Sequence, residues 1–175
     1  DTIDYILSIV KAYTTRVGEG PFPTELKNDI GNKIGIKGKE FGTVTNRKRR
    51  CGWFDAVLVK QSCTISGTKG IALTKIDVLD DLKYLYVCVA YKLNGKKIDY
   101  LPSSLQDQIK AKPLYKKFDG WLENTSGIKK WKDLPNNAKK YIKFIKDYCN
   151  VEISSISTSP KREDTILLKN PFNKN

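Results

Sequence analysis

Apolar residues recur at helical spacing from the start of the chain. Ile3, Ile6, Leu7, Val10 and Tyr13 follow a 3.6-residue period, which predicts a helix over residues 1–14. The following string, Arg16-Val17-Gly18-Glu19-Gly20-Pro21-Phe22-Pro23-Thr24-Glu25, is too dense in glycine and proline for helix or strand. The stretch to Phe41 therefore reads as loop, with a weak hairpin around Asn28 to Gly35. Phe54, Val57 and Leu58 share one helical face, so a second helix is expected over 53–65. Gly70 to Asp77 reads as a buried strand through Ile71, Ala72 and Leu73, ending in Thr74-Lys75-Ile76-Asp77. Tyr84 to Leu93 is rich in β-branched and aromatic residues and predicts another strand. Asn94-Gly95 turns the chain in a hairpin, with Lys96 to Tyr100 returning. Between 102 and 133 the pattern gives a short helix near Leu105 and a strand near Leu114 to Phe118. A helix follows over 134–149, capped by Asp133 and opened by Pro135. Ala138, Tyr141, Ile142, Ile145, Tyr148 and Cys149 form its apolar face, and Lys139, Lys140, Lys143 and Lys146 its outer one. Val151 to Ser157 and Thr165 to Leu168 close the chain as strands. There is no internal repeat, and the fold class is α/β.

Composition narrows the classes. The 175 residues amount to about one domain. An aromatic fraction of 10% argues against disorder, and the 39% hydrophobic and 29% charged residues are those of a soluble globular protein. No apolar run approaches the ~20 residues of a membrane span. Asp1-Thr2-Ile3-Asp4 has no basic n-region, so no signal peptide is expected. With no methionine anywhere, the chain is expected to be a fragment of a longer protein.

The net charge is +13, from 32 Lys and Arg against 19 Asp and Glu. Such a balance fits nucleic-acid binding. A lysine-coated surface fits better, since most lysines fall on the polar faces of the elements above. The absence of histidine excludes Cys₂His₂ zinc, His-dependent triads and an imidazole base. Cys51, Cys63, Cys88 and Cys149 form no CxxC pair, which argues against zinc and for a reducing compartment. Cys88 reads as a core thiol.

Three constellations could carry chemistry. In Gly42-Thr43-Val44-Thr45-Asn46-Arg47-Lys48-Arg49-Arg50-Cys51-Gly52-Trp53, hydroxyls and a turn-forming Asn precede four consecutive cations. Arginine forks bind carboxylates and phosphates, and backbone N–H groups near Gly or Asn cup anions. The same string also fits a basic RNA-binding cluster. Thr74-Lys75-Ile76-Asp77 ends an apolar strand, where α/β sheets bind ligands. A carboxylate there can accept from the N1–H and N2 amino group of guanine, with a lysine stem along the base; a plain turn is the alternative. Ser157-Thr158-Ser159-Pro160 also follows a strand and offers free N–H groups, or is simply a turn.

Taken together, these strings resemble adenylosuccinate synthetase. Arg16 to Leu26, Arg47 to Trp53, Leu73 to Asp80 and Ile156 to Pro160 occur there in the same order at similar separations. So do Cys88-Val89-Ala90-Tyr91, Gly120-Trp121 and Asn170-Pro171-Phe172. The resemblance implies a cytoplasmic, homodimeric, GTP-dependent ligase of purine (AMP) biosynthesis. It joins IMP and L-aspartate to give adenylosuccinate, GDP and phosphate with Mg²⁺, on a large mixed β-sheet surrounded by helices. It implies that residues 1–175 are the C-terminal portion of the enzyme domain. The family's phosphate loop, its catalytic Asp and His and its Mg²⁺ ligand would lie in an absent N-terminal part. The chain would then hold no catalytic residue and no metal ligand, and would be inactive alone.

By position, Val17 matches an IMP contact and Arg47 an arginine facing IMP and aspartate. Thr43, Val44, Thr45, Asn46, Arg47, Lys48 and Arg49 match the aspartate-binding loop, with Arg49 shared with GTP. Lys75, Ile76 and Asp77, and Ser157, Thr158 and Ser159, match the guanine site. No nucleic-acid or membrane partner is implied. Three positions depart from the family pattern. Val44 lacks a hydroxyl, Asn46 stands where glycine is usual, and Ser159 replaces the glycine of STGP. The alternative, a basic RNA-binding module, lacks an RNP-like aromatic string and a GxxG clamp.

Overall fold

In chain order the elements are β1 (Leu7–Lys11), β2 (Thr14–Arg16), α1 (Asp29–Lys37), β3 (Arg50–Gly52), β4 (Phe54–Asp55), α2 (Ala56–Ile65), β5 (Gly70–Thr74), β6 (Tyr84–Leu93), β7 (Lys96–Ile98), α3 (Leu105–Lys110), β8 (Lys112–Asp119), α4 (Asn136–Cys149), β9 (Glu152–Ser157) and β10 (Thr165–Leu167). They are those of a computed structural model that describes residues 3–44 and 46–170. Thr45 of the basic loop and Pro171-Phe172 of the closing motif lie outside the described residues. The chain divides into two units, one of Asp1–Ala12, Val59–Tyr84 and Phe118–Asn175, the other of Tyr13–Leu58 and Leu85–Lys117.

The first unit is built on a sheet of order β1-β5-β9-β10. β1, β5 and β9 are parallel, with Lys11 opposite Thr74 and Leu73 opposite Ile156, and β10 is antiparallel to β9. Ile71, Leu73 and Ile156 are fully buried along its centre, each contributing about 1.5–3 kcal/mol relative to exposure. From α4, Ala138, Tyr141, Ile142, Ile145 and Cys149 are buried, as the pattern predicts, while Tyr148 is half-buried. Burial, with the nearby Cys63 adding to it, pushes the Cys149 thiol up to about 12.

The second unit holds the two-stranded β2-β3 sheet and the sheet of β4, β6, β7 and β8. β4 is parallel to β6, and β7 returns antiparallel after Asn94-Gly95. Asp55 caps α2: its Oδ1 accepts from Leu58 N–H at 3.1 Å and its Oδ2 from the Tyr91 hydroxyl at 2.6 Å. Cys88 is fully buried, as expected of a core thiol, and desolvation raises its pKa.

Three expectations are corrected. Residues 7–16 are two strands, not a helix. The run Leu7-Ser8-Ile9-Val10 is short and β-branched, and a short apolar run carries no reliable period. Its pairing with β5 then decides. The stretch around Asn28 to Gly35 is α1, not a hairpin. Asn28 caps it by accepting from Gly31 N–H at 3.1 Å. Gly31 is not a breaker there: a Cβ on it would collide with the Leu26 carbonyl. Finally, Asp133 does not cap α4. It ends a 3-10 turn, Trp131–Asp133, and Pro135 takes the cap position. Among the described residues no helix is long and apolar enough to cross a membrane.

Candidate functional site

In the first unit, three parallel strands end at one edge. Ala12 N–H, just after β1, donates to Thr74 O at 2.8 Å. β5 stops at Thr74 because Lys75 turns left-handed (φ 63°, ψ 39°), a conformation that costs a non-glycine residue roughly 1–2 kcal/mol. Its backbone N–H donates to Ser157 Oγ, at the end of β9, at 3.1 Å. A 3-10 turn, Ile76–Leu79, follows. Ile76 is fully buried, whereas Asp77 is half-buried.

A second layer holds this turn. Asp80 is buried, and its carboxylate accepts from Trp121 Nε1 at 2.5 Å, Thr125 N–H at 2.9 Å and Thr125 Oγ1 at 2.8 Å. Asp81 N–H donates to Trp121 O and Gly120 N–H to Lys83 O. A Cβ at Gly120 would collide with the Leu82 carbonyl, so the Gly120-Trp121 pair is required for this approach.

After β9 the chain loops from Thr158 to Asp164. Thr158 is fully buried and its hydroxyl donates inward, to Ile128 O at 2.8 Å and Asp164 O at 3.1 Å. Ser159 Oγ donates to Asp164 Oδ2 at 2.7 Å and accepts from Lys161 N–H at 3.0 Å. Ser159 is absent from the residues with positive φ, so its backbone does not need the glycine of the usual motif.

In the second unit, Phe41 and Lys48 form a bridge that closes a narrow loop. Gly42 N–H donates to Arg47 O and Asn46 N–H to Gly42 O, both at 2.8 Å. Asn46 has φ 50°, the left-handed backbone that the Asn-for-Gly departure demanded. Thr43, Val44, Asn46, Arg47 and Lys48 are exposed, Val44 at 96%. The cations do not share one role. Lys48 is exposed, and its Nζ donates to Asn32 Oδ1 of α1 at 2.5 Å. Arg49 turns to Glu40, with NH1 to Oε2 at 3.1 Å. Glu40 is fully buried and also accepts from the Tyr13 hydroxyl at 2.6 Å. Arg49 Nε is buried with no hydrogen-bond acceptor among the described residues.

Arg50 serves the preceding glycine- and proline-rich loop. It forms a bidentate pair with Glu25 (Nε–Oε1 2.7 Å, NH2–Oε2 2.6 Å). Its NH1 donates to Gly18 O and Gly20 O, and its guanidinium lies over the Phe22 ring. The Arg50 hydrogen bond holds the Glu25 carboxyl below its ordinary range. Arg16 NH1 donates to Pro21 O at 2.7 Å. The loop so braced leaves Val17, directly after β2, 74% exposed. With Arg50 filled by Glu25 and two carbonyls, the cation run is not a continuous open stripe of the kind that tracks RNA phosphates.

The adenylosuccinate synthetase family model matches residues 1–166. The chain belongs to the adenylosuccinate synthetase family. It is also similar to the solved structure of a fully ligated adenylosuccinate synthetase from Plasmodium falciparum, with a TM-score of 0.92 and 39% identity. The match covers 95% of this chain and 40% of that one, so this chain spans less than half of that synthetase's length. The mixed α/β architecture expected from the resemblance is the one observed.

For a synthetase-family chain, the sequence left several supporting residues unread. Glu40 and Tyr13 lie outside the matched strings, and a lone buried carboxylate has no local pattern. Glu25, Arg50, Asp80 and Trp121 lie inside those strings, yet only contacts between distant segments reveal what they do. Among the described residues there is no group of three or more His, Cys, Asp or Glu able to hold a metal ion.

Proposed function

We propose that this chain is the C-terminal portion of a cytoplasmic, homodimeric adenylosuccinate synthetase, which joins IMP and L-aspartate at the expense of GTP in AMP biosynthesis. The observation that supports it most is the Lys75 to Asp77 turn, locked by Ser157 at the common end of three parallel strands. The Asp77 carboxylate accepts from the guanine N1–H and N2 amino group, and an acceptor pair of this kind rejects adenine. The Lys75 stem lies against the base. Ile76 and Thr158, both fully buried, support the site from beneath. Ser157 acts by holding Lys75, and Ser159 by closing its own loop on Asp164.

In the second unit, Arg47 and Arg49 bind the aspartate carboxylates by charge-assisted bonds. Thr43, Val44 and Asn46 shape the loop around them, Thr45 belongs to the same aspartate-binding string, and Val17 meets IMP. Arg49 is shared with the GTP phosphates. Mg²⁺ supplies charge neutralisation on those phosphates when bound. By the family resemblance, its ligands and the proton-transfer groups lie in the part of the enzyme outside this chain.

Steady-state adenylosuccinate formation from IMP, GTP and aspartate tests the reading. The full-length protein should turn over in the ordinary range of about 1–10³ s⁻¹, and this chain alone should not. Turnover by the chain alone would mean that the chemistry has been put in the wrong part.

A further inference from the structure

We infer that Glu40, held by the Tyr13 hydroxyl, is a positioning residue that aims the Arg49 guanidinium at the incoming anion. This rests on the reading of Arg49 as an aspartate contact.

A carboxylate buried as fully as Glu40 is costly unless charged or strong hydrogen-bond donors surround it. Two such donors are present. Tyr13 O–H gives a 2.6 Å bond to Oε1, and Arg49 NH1 gives a 3.1 Å bond to Oε2. The backbone reinforces the same geometry. Arg49 N–H donates to Glu40 O at 2.9 Å, and Glu40 N–H to Gly35 O at 2.8 Å. Residues 40 and 49 therefore face each other across the base of the loop that carries Thr43 to Arg47. Glu40 is anchored from α1 at its backbone and from Tyr13 at its carboxylate.

The consequence for Arg49 follows from the shape of a guanidinium, whose donors lie in a fixed planar fork. Tying NH1 down sets the direction of the plane. Nε is held out of solvent, so an arriving anion is met by the exposed remainder of the fork. Nε has no acceptor among the described residues, and the Arg49 side chain is still 31% exposed. NH1 is thus tied to Glu40 and Nε is buried beside it, which leaves the exposed part of the guanidinium facing outward in a fixed direction. An arriving carboxylate or phosphate meets an already oriented fork, so less rotamer entropy is lost on binding. By contrast, Arg50 has its Nε and NH2 edge filled by Glu25 and its NH1 by two carbonyls. Adjacent arginines are thereby divided between bracing and binding.

The test uses Glu40→Gln and Tyr13→Phe in the full-length enzyme, each in the wild-type and in the Arg49→Leu background, with thermal melting alongside. In the wild-type background each should raise the aspartate KM, about tenfold for Glu40→Gln and threefold for Tyr13→Phe. The IMP KM should stay within twofold. In the Arg49→Leu background the same substitutions should add less than twofold, because Glu40 acts through Arg49. Equal effects in both backgrounds would overturn the inference, as would no effect in the wild-type background while Arg49→Leu itself is damaging. If Arg49→Leu leaves aspartate kinetics untouched, it is the reading of the loop that fails. Should Glu40→Gln not fold, the Tyr13→Phe pair decides on the same criteria.

Discussion

The backbone N–H of Lys75 donates to the side-chain oxygen of Ser157, 82 residues further along the chain, at 3.1 Å. That bond joins the end of β5 to the end of β9 and holds Lys75 in its left-handed turn. Removing it in Ser157→Ala forfeits a net hydrogen bond of about 0.5–1.5 kcal/mol. In the full-length enzyme the GTP KM should rise roughly two- to tenfold, with the aspartate KM unchanged. Equal rises for all substrates would point to general loosening of the fold instead.

Ser159→Gly restores the residue usual in the family, yet it should not improve GTP binding. The Ser159 backbone has no positive φ, and its hydroxyl closes the loop on Asp164 and Lys161. The loop loses two bonds, so the GTP KM should rise about two- to fivefold, the yield of roughly one net hydrogen bond. A lower GTP KM in this variant would mean that the serine side chain obstructs the base.

The arginines of the basic loop should be unequal to its lysine. Arg47→Leu should raise the aspartate KM or lower kcat by about tenfold or more, through loss of a charged bidentate contact. Lys48→Leu loses only an exposed bond to Asn32, and should change either parameter less than about threefold, since exposed contacts of this kind are worth little. Comparable damage from both would make the loop an undirected cluster of charge.

The Glu25–Arg50 pair predicts a pH dependence. Its carboxyl is held below the ordinary value of 4.5, first by the Arg50 hydrogen bond. A lowered folded-state pKa contributes stability that is present above 4.5 and lost as pH falls through the folded value. Glu25→Gln should therefore melt earlier than wild type at pH 7, with the gap closing progressively below pH 4.5. A gap that persists undiminished at low pH would show that the pair's charge does not matter.

Local pattern was readable where an element satisfies itself. β6 with its Asn94-Gly95 turn, and the apolar face of α4, stand where periodicity and turn chemistry put them. It misled where tertiary partners decide. Ile6 to Val10 has helical spacing but pairs with β5, and Gly31 looks like a breaker but lets α1 approach Leu26. Lys75, Asp77 and Ser157 stand at or just past strand ends, as the pattern expects, while their link to guanine rests on the family resemblance. The bond joining Lys75 to Ser157 was not legible, since β9 must first lie beside β5. Glu40 was illegible for the same reason: its partners are Tyr13 and Arg49, 27 and 9 residues away.

Guanine selection by Asp77 is the most direct test of the whole account. Asparagine offers one acceptor and two donors where the guanine edge presents only donors. In the full-length enzyme Asp77→Asn should raise the GTP KM about ten- to a hundredfold, the worth of a charge-assisted pair at roughly 1.5–3 kcal/mol. It should also relax selection against other purine triphosphates while leaving the aspartate KM in place. An unchanged GTP KM, with discrimination intact, would remove Asp77 from the site and contradict the assignment built on it.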